Sequence, residues 1–183
     1  MSKRANTSKH ADGAPEVVAE AARLVGEADQ LLAMVLPPGC WPDATTVDRF
    51  LREEKLDRVL SLYGRAMRLD PSEPAYPWNL ASAMSRLGLN DLALGFMARA
   101  IHLAAASGDS EWSGADAHLA LAEVAVGAHE PDLALMALAH AQELDDQGNR
   151  RIRIADLLEE IRKEGSDPQP HASLAALLEQ LPA

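Results

Sequence analysis

Three observations on the 183-residue chain predict an all-α fold of helical hairpins in series. Hydrophobic residues make up 48% of it but aromatics only 4%, and roughly a third of positions are Ala or Leu, whose helix propensities are among the highest. Apolar residues recur at three- and four-residue spacing between Pro and Gly stops, the period of an amphipathic helix. The same helix-end text returns along the chain, which marks a repeat.

The elements follow in order. Residues 1–14 mix Ser, Lys, Asn, Thr, Asp and Gly without periodicity, too little apolar surface to offset the entropy of ordering, and are expected to be a disordered leader. From Pro15 to residue 36, Val17, Ala21, Leu24, Ala28, Leu31, Leu32 and Val35 share one helical face, with Pro in a first-turn position and Pro37-Pro38-Gly39 as the stop. Asp43 to about Glu54 and Leu56 to Leu69 predict two helices paired as a hairpin, closed by Asp70-Pro71. Pro74–Leu87 and Asn90 to about Ala105 form the next pair, joined at Gly88, where positive φ closes the first helix. Ala115–Ala128 and Pro131–Leu144 form a third. Residues 149–164 carry Ile152, Ile154, Ala155, Leu158 and Ile161 between charges and suit a capping helix that ends at Gly165. The remainder, 166–183, is a Pro-containing linker and a short amphipathic tail.

The repeat is read by superposing helix ends. Ala66-Met67-Arg68-Leu69-Asp70-Pro71 aligns with Ala100-Ile101-His102-Leu103 and with Ala141-Gln142-Glu143-Leu144-Asp145, and Asn90-Asp91-Leu92-Ala93-Leu94 aligns with Pro131-Asp132-Leu133-Ala134-Leu135. On these residues the chain resembles the tetratricopeptide repeat family. Residues 74–107 fit best, with Leu80-Ala81, Gly88, Ala93, Met97 and Ala100 in the family's large and small positions. Residues 115–148 supply Leu121, Ala122, Ala134, Leu138 and Ala141. Residues 40–73 keep Tyr63, Ala66 and Pro71 but have Thr46, Val47 and Val59 where the family has Leu, Gly and Ala, so this unit is degenerate. Small side chains at such positions let helices approach closely while large apolar ones fill the gaps, and stacking buries a core that no hairpin has alone. The resemblance implies a right-handed α-solenoid. An alanine-rich bundle shares the composition without the repeat.

In that family ligands lie on the concave surface lined by the first helix of each unit. The resemblance therefore implies a groove of Trp78, Asn79, Ser82, Ser85 and Arg86 in the second unit and Asp116, Leu119 and Glu123 in the third, with Arg52 from the first, where Trp41, Ala44, Asp48 and Leu51 hold equivalent positions. Trp78 has two readings, an apolar anchor for a ligand or packing between hairpins. Arg52 and Arg86 either attract a carboxylate together or pair with acids of their own chain, and Trp112 is either a partner contact or a loop anchor. The Lys and Asn set with which relatives hold heat-shock chaperone tails is missing, since only Asn79 matches and Ala44, Asp48, Asp116 and Ala120 stand in the other places.

Composition excludes several other functions. Seventeen basic residues against 28 acidic ones give a net charge of -11, which repels a phosphate backbone, so nucleic acid is not an expected partner. No apolar run reaches membrane-spanning length and the polar N-terminus has no secretion signal, which leaves a soluble cytoplasmic protein as the expectation. Cys40 is the only cysteine, with no second thiol for a disulfide or metal site. His118, His129 and His140 recur every eleven residues but fall on different elements and are not expected to converge on a metal. Neither a phosphate loop, a Gly-x-Ser-x-Gly turn nor an HExxH motif occurs. Adjacent acids such as Glu53-Glu54 and Glu159-Glu160 diverge on a helix. The expected role is a non-enzymatic scaffold or adaptor without cofactors, binding a peptide or helix of another protein. The alternative is a self-associating protein, possible as a homodimer, or one similar to the secretion chaperones that hold translocator proteins, using the N-terminal helix or the tail.

Overall fold

The computed structural model describes residues 15–37, 41–145 and 147–164; the leader, Cys40 and the tail read from the sequence lie outside them. Among the described residues the chain forms nine helices and no strand. Helix α1 spans Pro15–Ala33, α2 Ala44–Arg52 and α3 Lys55–Leu69. Helix α4 runs Ala75–Arg86 and α5 Asn90–Ser107. Helix α7 runs Ala115–Gly127, α8 Pro131–Leu144 and α9 Arg151–Glu164. A four-residue helix α6, Ser110–Ser113, stands in the insert before α7, where no helix was expected. No helix among the described residues is long and apolar enough to cross a membrane.

Local chemistry explains the boundaries. Asp43 caps α2 by accepting hydrogen bonds from the Thr46 amide at 2.9 Å and its hydroxyl at 2.7 Å, and these bonds hold its carboxyl below the usual range. Gly88 adopts φ 76°, the left-handed conformation that ends α4 and starts the turn to α5. Pro131 opens α8, where its missing N–H costs no helical bond.

The most extensive packing joins α1 with α3, α4 with α5, and α7 with α8. Smaller contacts link α3 to α4 and α5 to α7, and α9 rests on α7 and α8. The second and third pairs are those read from the sequence. For the first pair the structure differs, because α3 packs chiefly on α1 and only slightly on α2. The reason lies in apolar surface: α1 buries Ala21, Leu24, Val25, Ala28 and Leu32, whereas α2 buries Phe50 alone. Glu27, late in α1, accepts from Arg58 in the first turn of α3, so the two run antiparallel. The apolar face of α1 is thus buried against α3.

The residues read as small positions of the repeat, Ala66, Ala81, Ala93, Ala100, Ala122, Ala134 and Ala141, are all fully buried. Alanines at these contacts let helix axes close, and Tyr63, Leu80, Met97 and Leu138 fill what remains, each at 2% exposure or less. Tyr63 brings a hydroxyl into that core and donates it to Asp29 of α1 at 2.5 Å. Burial first, and the Asp29 carboxylate second, push its phenol well above the usual range. Helix α9 buries Ile154, Leu157, Leu158 and Ile161, each worth about 1.5–3 kcal/mol relative to exposure. It is a firmly seated cap.

Candidate functional site

The residues proposed for a groove divide into two groups in the structure. In the third unit they are committed within the chain. Leu119 is buried. Asp116 accepts both arms of the Arg150 guanidinium, at 2.8 and 2.7 Å, and Glu123 accepts from Arg153 at 2.8 Å. Of the two arginines, Arg150 lies just before α9 and Arg153 on it. The bidentate bond to Arg150 lowers the Asp116 pKa, and Arg150 also engages Asp145. Nothing in the spacing of Asp116 and Glu123 announced these partners, which lie about 30 residues downstream.

Trp78 is half-buried and meets Trp112 of α6 edge to face, with ring centroids 5.0 Å apart and planes at 72°. Such aromatic pairs add about 0.5–1.5 kcal/mol beyond burial. Of the two readings of each tryptophan, the observed contact is the internal one. Asn79 stands exposed beside Trp78 and Ser82 is partly covered.

The other group converges. Trp41, Ala44 and Asp48 from the first unit and Ser85 and Arg86 from the second line one open cleft of about 370 Å³, completed by Pro42, Val47, Leu87 and Gly88. Its two walls are the start of α2 and the end of α4. Ser85 donates to the side-chain oxygen of Asn90 at 3.0 Å, and the Asn90 amide donates to the Gly127 carbonyl at 3.0 Å. That relay ties the end of α4 to the end of α7 and explains Gly127, since a Cβ there would stand 2.5 Å from the Asn90 amide nitrogen. Arg86 donates to the Pro37 carbonyl at 3.2 Å, which holds the guanidinium toward the end of α1. Arg52 is not among the lining residues; it pairs with Asp48 at 3.6 Å along α2. The two arginines therefore do not form the shared carboxylate wall considered from their spacing.

Trp41 is 76% exposed, an unusual surface expense for the largest side chain. A second cavity of about 200 Å³ lies on the opposite flank of α2, between it and Met34 and Val35 after α1. Helix α2 is consequently a lightly packed amphipathic helix with open space on both sides. The sequence had shown Trp41 as one groove position among many; its exposure became visible only when α1 took the place beside α3.

Two of the three regularly spaced histidines meet, though their places on different elements did not require it. His118 and His140 face each other across the α7–α8 seam with ring centroids 5.3 Å apart, because an antiparallel pair brings residues equidistant from its turn side by side. His129 stays at the turn, with φ 58°. The buried Nδ1 of His118 has no hydrogen-bond partner among the described residues. Among the described residues no group of three or more His, Cys, Asp and Glu is arranged to hold a metal ion. Comparison with protein-family models and with curated proteins gives no match for this chain.

Proposed function

We propose that this chain is a non-enzymatic interaction scaffold that holds a peptide or helix of a partner protein in the cleft between α2 and α4, its helix pairs stacked as a right-handed tetratricopeptide-like solenoid. One observation carries the reading: groove residues nominated from two separate units line a single cleft at which Trp41 stands exposed. Rigid aromatic side chains of this kind supply most of the energy in many interfaces, since they bury a large area for little loss of rotamer freedom. Val47 and Leu87 extend the apolar floor, and Ser85, Arg86 and Asp48 offer polar groups that orient a backbone. The stacking of α1/α3, α4/α5 and α7/α8 in chain order, with α9 across the last pair, supports the solenoid reading.

The test is selection of binding peptides from a random displayed library on the wild-type chain, followed by measurement on Trp41→Ala and Arg86→Glu. Exposed Trp41 contributes little to the core, so its replacement leaves the fold intact by circular dichroism. Selected peptides are expected to bind at least about tenfold more weakly to Trp41→Ala. Peptides held equally by both variants and the wild type would overturn the assignment of function to this cleft.

A further inference from the structure

We propose that the segment bound in the α2–α4 cleft is cationic, seating an apolar side chain against Trp41 and laying Lys or Arg residues across the acidic edge formed by the starts of α5 and α8. This rests on the cleft being the binding site and adds the chemistry of its occupant. The argument begins with the distribution of charge. Residues 70–149 hold twelve of the 28 acidic residues but only two of the seventeen Lys and Arg, Arg86 and Arg99. The rest of the chain is nearly balanced, so most of the -11 belongs to the part containing α4 to α8.

Several of these acids are matched internally, Asp116 and Asp145 by Arg150 and Glu123 by Arg153. Asp91, in the first turn of α5, and Glu130, the residue before α8, are exposed. Their placement follows from the hydrogen-bond relay. Ser85, a lining residue, is bonded to Asn90 next to Asp91, and Asn90 is bonded to Gly127, three residues before Glu130. The apolar floor and the acidic edge are therefore continuous. Arg86, which also lines the cleft, donates to the Pro37 carbonyl on its α1 side. An occupant with an apolar residue at Trp41 and cations toward α5 meets favourable charge along its length, whereas an acidic segment meets like charge within the screening distance of about 8–10 Å.

Two labelled synthetic helical peptides with the same Leu and Phe positions, one bearing Lys and the other Glu at the intervening sites, are titrated by fluorescence anisotropy. The full chain is used as wild type, Trp41→Ala, the pair Asp91→Lys with Glu130→Lys, and a control pair Glu16→Lys with Glu160→Lys that changes net charge equally at exposed positions of α1 and α9. The Lys peptide is expected to bind wild type and control alike, and to be weakened about tenfold or more by Trp41→Ala and by the Asp91/Glu130 pair. Equal binding of the Lys and Glu peptides, both lost in Trp41→Ala, would overturn the cationic assignment while leaving the cleft reading standing. Loss of the Lys peptide equally in the control pair would show only diffuse attraction and overturn the docking edge, and so would binding of neither peptide to wild type.

Discussion

Single side chains set the sharpest expectations for stability. The Tyr63 hydroxyl is a polar tip in an apolar core whose partner, Asp29, lies on another helix. Tyr63→Phe is expected to lower unfolding free energy by about 0.5–1.5 kcal/mol, read by urea denaturation with unchanged slope. His118 sets a pH dependence. Burial is the larger cause that holds its pKa below the ordinary 6.5, and the facing His140 adds to it. His140 has Glu143 at 3.4 Å on its own helix, while Asp116 on α7 and Arg150 before α9 are bound to each other. Protonation of His118 therefore adds a cation to a partly buried seam. The folded state binds that proton less readily than the unfolded chain, so this contribution is complete above the ordinary histidine pKa and is lost as pH falls through and below it. Melting temperature is expected to drop between about pH 7.5 and about pH 5.5, and His118→Leu to remove much of that drop; an unchanged slope in the variant would refute this account.

At the level of elements, α9 and α2 are opposites. Helix α9 buries four aliphatic side chains, and Arg153 on it and Arg150 just before it clamp α7, so it closes the apolar end that the last hairpin would otherwise expose. Leu158→Ala, at 1% exposure, is expected to cost about 2–5 kcal/mol. Helix α2 buries one residue and stands between two cavities, so its amide protons are expected to exchange faster than those of α3 and to slow when a ligand fills the cleft, measurable by hydrogen exchange. At the junction of α5 and α7, Gly127→Val is expected to displace the Asn90 amide from its carbonyl and to destabilise the chain, because the added side chain occupies the space that amide now fills.

For the whole molecule, the consequence of pairwise packing is limited reach. The principal contacts lie within each helix pair and smaller ones join each pair to the next in chain order, so a perturbation is expected to decay along the series. The Leu158→Ala variant is expected to lose hydrogen-exchange protection mainly in α7, α8 and α9, with α1 and α3 little altered. Uniform loss across all helices would instead identify one cooperative core and count against a solenoid.

Helix class, most boundaries and the buried alanines were legible in the sequence, because 3.6-residue periodicity and Pro and Gly stops are local signals. Ala81, Ala93, Ala122 and Ala134 were read as close-contact positions from the repeat alone, and all are fully buried. The partner of α3 was not legible, since the choice between α1 and α2 turns on how much apolar surface each buries once packed. The candidate site divided in the same way. Residue types at groove positions were visible beforehand, but whether Trp78 met a ligand or Trp112, and whether Asp116 stayed open or received Arg150, depended on segments about 30 residues away in the chain. Local periodicity determined the helices and their small contact positions. Competition among distant segments for the same apolar and charged surface was decided only by the tertiary structure, and that competition left Trp41 exposed over its cleft.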